Sequence, residues 1–293
     1  MIQWVSSHLR GGRRTPWSTS SRPEPTYEEE SQVAETRFTL ERQGHVFLIG
    51  INRADKGNAF DLSMLQQLAL ACGELDRDRE LRCGVLFAHG KHFTLGLDLV
   101  EVAPLFAKGR IPLPEGGIDI TGVMGDQRLS KPLVCAMHGL CFTLGIELAL
   151  ACDIRVAAPD TRFAQIEVGR GIYAVGGATV RFVREAGWGN AMRYLLTGDT
   201  FRADEALRMG IIQEITQPGK HLERAIELAQ LVAEQAPLGV QATLASARRA
   251  LREGELLALH SLLPDLLPLM RSKDAAEGLR SFVERRKGSF VGE

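Results

Sequence analysis

A run of 20 residues, 133–152, is apolar enough to be mistaken for a membrane span, yet Glu147 lies within it. A carboxylate at bilayer depth is costly, and His138, Gly139, Thr143 and Gly145 interrupt the run further. The stretch therefore reads as a buried strand over 133–137, a loop, and a buried helix over 145–152. A strand that feeds a helix in this way sets the architecture, because such units return parallel strands to one sheet.

The flanking pattern repeats the theme. Residues 38–40 and 46–51 read as two strands around the turn at Gln43-Gly44, and Leu62, Leu65, Leu68, Ala69 and Cys72 recur at helical spacing after a capping Asp61. Val85, Leu86 and Phe87 form a short buried strand, and a helix begins near Asp98. Residues 107–125, with Pro112, Pro114 and Gly116-Gly117, read as a mobile or excursion segment. Residues 154–157 are again a strand. Beyond about 218 the pattern is helical only, over 221–236, 238–252, 255–271 and 274–286, with Pro237, Gly254 and Ser272 near the breaks. The chain is expected to divide into a disordered tail or extension 1–35 outside the fold, an α/β core 36–218 and a helical region 219–293.

Composition narrows the function. Across 293 residues, 35 basic side chains meet 36 acidic ones, so the cationic excess of a nonspecific nucleic-acid binder is missing. Cys72, Cys83, Cys135, Cys141 and Cys152 form no Cys-x-x-Cys pair. They read as buried, reduced thiols of an intracellular protein. His89 and His92 flank a turn at Gly90 without a third ligand nearby, so no metal site is expected. Residues 1–35 are rich in Arg and Ser, with no acid before Glu24. That composition fits a mitochondrial transit segment, or a bacterial tail in a chain whose 28 arginines against seven lysines suit a GC-rich genome. The expected location is the bacterial cytoplasm, with the mitochondrial matrix as the alternative.

Three segments carry candidate chemistry. In Gly90-Lys-His-Phe-Thr-Leu-Gly-Leu-Asp-Leu99 a strand ends and Asp98 opens a helix, where backbone N–H groups lack intrahelical partners. In His138-Gly-Leu-Cys-Phe-Thr-Leu-Gly-Ile-Glu147, Leu144 and Glu147 stand three apart on one helix face. A free N–H and a carboxylate would sit side by side there, unless Glu147 is simply a buried acid paired with an arginine such as Arg155. In Phe163-Ala-Gln-Ile-Glu167 a second acid follows 20 residues later. Two carboxylates brought into one apolar cleft acquire separated pKa values.

Together with Ile51-Asn-Arg-Ala-Asp-Lys-Gly-Asn-Ala59 and Glu277-Gly-Leu-Arg-Ser-Phe-Val-Glu-Arg-Arg-Lys-Gly-Ser-Phe290, these segments resemble the crotonase superfamily, the enoyl-CoA hydratase/isomerase family, in order and over most of the chain from Phe38. The resemblance implies a ββα-spiral core with a C-terminal helical trimerisation region, assembled as a trimer or a dimer of trimers. It implies an acyl-CoA thioester substrate, a role in fatty acid metabolism such as β-oxidation, and no cofactor beyond the coenzyme A that the substrate carries. No nucleic-acid or membrane partner is implied. The backbone N–H groups of Leu97 and Leu144 map onto the family's oxyanion hole. Glu147 and Glu167 map onto its hydratase glutamates, the first activating water and the second protonating the α-carbon. Leu95, Gly96, Leu97 and Asp98, with Phe282 and Arg285 from the C-terminal helix, map onto the CoA-binding positions.

The chain departs from the family at three places. Leucine stands at 144 where the family has glycine, and at 97 where a small residue is common. Ala174-Val175 replaces a Pro-Gly pair, and Val175 stands where dienoyl isomerases carry an acid. With both glutamates retained, the expected reaction is hydration of a trans-2-enoyl-CoA. The alternatives are double-bond isomerisation and a catalytically idle acyl-CoA-binding homologue.

Overall fold

The opening hairpin pairs β1 (Phe38–Gln43) with β2 (Val46–Ile51) antiparallel, and the left-handed φ of +59° that the turn requires falls on Gly44. The computed structural model describes residues 36–109 and 111–293, so the expectations for the stretch 1–35 lie outside the described residues. After β2 come α1 (Leu62–Arg77), β3 (Cys83–Ala88) and α2 (Leu99–Phe106). Then follow β4 (Leu133–Met137), β5 (Leu140–Phe142), α3 (Leu144–Ala151), β6 (Ile154–Ala157) and β7 (Arg162–Ala164). Next are α4 (Ala178–Ala186), α5 (Trp188–Thr197), β8 (Phe201–Arg202), α6 (Ala203–Arg208) and β9 (Glu214–Ile215). The helices α7 (His221–Ala233), α8 (Pro237–Glu253), α9 (Glu255–Leu269) and α10 (Lys273–Glu284) complete the chain.

One sheet runs β1-β2-β3-β4-β6-β9, parallel throughout except for β1, and a smaller one runs β5-β7-β8. β2, β3 and β4 carry no polar side chain because both of their faces are covered. Phe47, Ile49, Ile51, Leu86 and Met137 point into the layer shared with α1 and α3. The alternate residues Val46, Leu48, Val85, Val134 and Ala136 meet Ala225, Ala229 and Ala233 of α7. Packing thus joins α7 to the sheet, although the sequence groups it with the later helices. Asp61 caps α1, accepting from Met64 N at 2.8 Å, and Ser272 caps α10, accepting from Ala275 N at 3.0 Å.

The strand, loop and helix expected over 133–152 are β4, β5 with its flanking turns, and α3. Residues 107–125 do make an excursion, but it folds back onto α1. Ile118 N donates to Ala69 O at 2.8 Å, and Ile118 and Ile120 are buried. The stretch 158–218 holds three strands and three helices that the sequence did not separate, since strands of two or three residues are too short to show a period. Among the described residues, no helix is long and apolar enough to cross a membrane, and all five cysteines are buried and free. On α9 and α10, Leu256, Leu263, Leu267, Leu279 and Phe282 are exposed.

Candidate active site

Two backbone segments meet in parallel where Thr94 bridges Cys141. Thr94 N donates to Leu140 O at 3.1 Å, and Phe142 N to Thr94 O at 3.0 Å. Counting three residues on from each bridge partner reaches Leu97 on one segment and Leu144 on the other, so a common register brings the two amides to one end of the pair. Phe60 N donates to Gly96 O and Asp98 N to Phe60 O, both at 2.8 Å. These bonds clamp Leu97 on either side and leave its own N–H without an acceptor among the described residues. Leu144 is the first residue of α3, where an N–H has no intrahelical partner and the helix dipole favours negative charge.

The residue before each amide carries the unusual geometry. Gly96 has φ +104°, and a Cβ there would fall on Thr143 Oγ1. Thr143 itself has φ 49° and ψ −112°, a region normally left to glycine, and holding a threonine there costs about 1–3 kcal/mol. The sequence reading passed over Thr143. Its only local signal is a β-branched residue immediately before a helix whose N–H groups must face outward.

The loop that delivers Leu97 is anchored by the Asn-Arg…Asn-Ala segment. Asn58 is fully buried; its Oδ1 accepts from Arg53 N at 2.8 Å, and its Nδ2 donates to His89 O at 2.9 Å and His92 O at 2.7 Å. The buried Arg53 guanidinium lies 3.4 Å from Asp61 and 3.2 Å from Asp98. Asp98, a candidate ligand contact by sequence, is therefore engaged by Arg53. Leu95 N donates to Gly57 O at 3.1 Å, and the Leu95 side chain is exposed beside this loop.

Glu147 is 2% exposed. Burial raises its pKa above the ordinary carboxylate range, opposed by the backbone N–H groups of Ala178, Gly176 and Gly177 and by the Arg181 charge. Ala178 N donates to Glu147 Oε1 at 3.2 Å. The N-terminus of α4 thus supplies the partner that an isolated carboxylate would lack. Arg155, the arginine considered for that role, instead bonds Glu185 at 3.0 Å. Glu167 opens a single 3-10 turn, Glu167–Arg170. Its pKa is pushed up to about 7 by burial first and by the Glu147 charge as well, against one backbone hydrogen bond. Turned so that both atoms of its amide are satisfied, the buried Gln165 donates to Glu167 Oε1 at 2.8 Å and Oε2 at 3.0 Å.

Leu97, Leu144 and Glu147 line one cleft, whose other walls are mostly apolar residues of α1 and of the segment 118–124. Glu167 does not line this cleft; its link to Glu147 is that the Glu147 charge helps to raise its pKa. Phe282 and Arg285 do not line the cleft of their own chain; Phe282 is 81% exposed on α10, and Arg285 caps the C-terminus of that helix with φ 53°. Two backbone amides on one cleft with a buried acid, and a second acid that feels its charge, suit a reaction in which a carbonyl oxygen gains charge while one proton is taken and another given.

The sequence model of the enoyl-CoA hydratase/isomerase family matches residues 41–293. Enoyl-CoA hydratase EchA19 of Mycobacterium tuberculosis is 33% identical over 258 residues, covering 86% of this chain and 95% of that protein. The short-chain-enoyl-CoA hydratase of Clostridium acetobutylicum is 30% identical over 256 residues, covering 85% and 95%. The crystal structure of a probable enoyl-CoA hydratase/isomerase from Mycobacterium abscessus superposes with a TM-score of 0.86 at 53% identity, covering 88% of this chain and 99% of the other.

Proposed function

Because the chain belongs to the enoyl-CoA hydratase/isomerase family, with the crotonase fold of its solved relatives, we propose that it adds water across the double bond of a trans-2-enoyl-CoA to give a 3-hydroxyacyl-CoA. The thioester oxygen accepts from Leu97 N–H and Leu144 N–H. Glu147, the carboxylate held by the start of α4, takes a proton from water as its oxygen bonds to C3. The C2–C3 π electrons pass into the thioester as an enolate, and the two fixed amides stabilise the charge that develops on oxygen. Glu167 then protonates C2. One proton leaves water and one arrives at carbon, so exchange with solvent resets the pair. Loss of one such amide donor elsewhere costs about 10² to 10³ in rate, and each acid–base partner contributes about 10² to 10⁴.

The observation that carries this reading is the unequal setting of the two acids. Glu147 accepts backbone N–H groups that favour its charged form, whereas Glu167 has a pKa near 7 and so holds a proton to give. In the assembled protein, the exposed leucines of α9 and Phe282 of α10 bury against other copies, in a trimer or a dimer of trimers, and Arg285 meets the CoA phosphates of a neighbouring site. No cofactor beyond the CoA of the substrate takes part.

The test follows the conjugated thioester absorbance with but-2-enoyl-CoA and then a 3-enoyl-CoA, for the parent and for Glu147→Gln and Glu167→Gln. A hydratase consumes the first substrate and loses that activity in both variants. Turnover confined to the 3-enoyl ester, and tolerant of Glu147→Gln, identifies an isomerase and overturns the proposal. Binding without turnover identifies an idle homologue and overturns it too.

A further inference from the structure

Ile120 lies on the lining of the catalytic cleft and also on that of a second cavity of different character. The second cavity opens between α8, which lends Arg248 and Arg252, and the core. The core lends Arg128 from the loop before β4, Arg155 from β6, and Arg181 and Arg184 from α4. Facing these six guanidinium groups on the same lining are two acids, Asp153 and Glu185. Both acids are engaged. Glu185 accepts from Arg155 Nη2 at 3.0 Å and from Arg184 Nη2 at 3.2 Å. Asp153 accepts from Arg248 Nη2 at 2.9 Å and from Leu133 N at 2.9 Å. Arg155 is spent as well, with Nε on Ile211 O at 2.6 Å and Nη1 on Cys152 O at 3.0 Å.

What remains is positive charge crowded onto one spot. Arg181 Nη2 donates to Thr121 O at 2.6 Å, and the Arg128 guanidinium lies against the very next residue, where a Cβ on Gly122 would overlap it. Burial lowers the Arg181 pKa, and the charges of Arg128 and Arg184 lower it further. Arg128 has no hydrogen-bond or ion-pair partner among the described residues. On the facing helix, Arg252 lies 3.9 Å from its nearest acid, Glu253. The side chains of Arg184 and Arg252 are 42% and 62% exposed, so a solute can reach them from solvent. Leu150, Leu244 and Leu251 form part of the remaining wall, and apolar sides focus the field of a cleft lined by one sign of charge.

We propose that this cavity is a second binding site, separate from the catalytic cleft, for a multiply charged anion of the phosphate class held by Arg128, Arg181, Arg184 and Arg252. Guanidinium forks offer paired donors to the oxygens of a phosphoryl group, and several forks from separate elements suit a group whose oxygens point in several directions. A hydrogen bond to a charged group is worth about tenfold or more in affinity, so each arginine that reaches the anion should be felt singly. The inference goes beyond the hydratase reading and stands whether or not the chain turns over an enoyl ester.

The probe is inorganic pyrophosphate, titrated by calorimetry into the full chain at low ionic strength. We expect saturable binding that Arg128→Gln weakens about tenfold and the double variant Arg128→Gln/Arg184→Gln about 100-fold. The charge-preserving pair Arg128→Lys/Arg184→Lys should stay within about tenfold of the parent, which separates lost charge from lost structure. Pyrophosphate should also raise the thermal midpoint of the parent and leave that of the double glutamine variant unmoved. Arg285→Gln, far along the chain on α10, should leave the pyrophosphate Kd within about threefold. Absence of saturable binding overturns the proposal, as does binding that survives the double glutamine variant or that Arg285→Gln abolishes. If a second copy of the chain fills the cavity instead, pyrophosphate will not bind and the double glutamine variant will sediment as a smaller assembly, which overturns it too.

Discussion

Gly176 is where the smallest change should do the most damage. A Cβ added there would lie 2.5 Å from Glu147 Oε2, 2.8 Å from its Cδ and 3.2 Å from its Cβ. Ordinary contact for such atoms begins at 3.4 Å, so in Gly176→Ala the carboxyl group must retreat by about 0.9 Å or the glycine loop must move by as much. Neither is easy, since Glu147 is buried on α3 and Arg181 ties Gly176 O to Thr121 O. A retreat of that size breaks the 3.2 Å bond from Ala178 N and removes the base from its line to C3. Misplacement by about 1 Å costs about 10² in rate, and overpacking costs about 1–3 kcal/mol of stability. We therefore expect kcat on hex-2-enoyl-CoA to fall about 100-fold, while the Kd for hexanoyl-CoA changes less than threefold. The protein should remain folded by circular dichroism. Gly189→Ala is the control, since a Cβ there meets nothing within 4 Å, and it should leave kcat unchanged. A folded Gly176→Ala protein with kcat within threefold of the parent would refute the argument that this close approach positions Glu147.

The remaining predictions concern protons, backbone and charge. Since Glu167 must be protonated to act and titrates at about 7, kcat/KM should fall as pH rises through 7; a profile flat to pH 9 counts against its role as donor. Its folded pKa lies above the ordinary value of 4.5, so the folded state holds that proton more tightly and stability declines as pH climbs from about 4.5 to 7. Glu167→Gln should remove about 1–2 kcal/mol of that decline, allowing for partial exposure, in denaturant unfolding at pH 5 and pH 8. Gly96→Ala drives a Cβ into Thr143 Oγ1 at φ +104° and should cost at least about 100-fold in kcat. Thr143→Gly relieves the φ of 49° and should gain about 1 kcal/mol in urea unfolding; a loss would count against strain at this turn. Arg53→Met takes the guanidinium from Asp98 and from Asp61, which keeps Met64 N and Arg37, and should cost about 3 kcal/mol, with a smaller loss if water reaches Asp98.

The parts of the fold legible in the sequence are those in which one residue pattern meets one environment. Uniformly apolar strands announced a sheet covered on both faces, and Ser272, Gly254 and Pro237 marked where the C-terminal helices break. The 20-residue apolar run resolved into β4, β5 and α3 because Glu147 forbade the membrane reading. What stayed hidden depends on register and on backbone. Nothing in the spelling of residues 93–97 and 140–144 states that Thr94 bridges Cys141, yet that pairing joins the two segments that bring Leu97 and Leu144 to one cleft. Nor could the sequence offer Ala178 N as the partner of Glu147, because every residue but proline carries an N–H; the arginine that side-chain chemistry suggested belongs to Glu185.

The same limit explains how two glutamates come to differ. Their side chains are identical, and burial raises the pKa of both. Glu147 faces three successive amides, of Gly176, Gly177 and Ala178, with the Arg181 charge behind them, and each of these favours the anion. Glu167 is opposed by one backbone bond and by the Gln165 amide, and feels the Glu147 charge as a further push upward. One acid's ionised state therefore helps to keep the other protonated, and the division of labour belongs to the pair. Neutralising the first must release the second: in Glu147→Gln the pKa of Glu167, read by carbon-13 NMR of the labelled carboxyl, should drop below 7. An unmoved titration would mean that burial alone sets it and that the two carboxylates do not share a site.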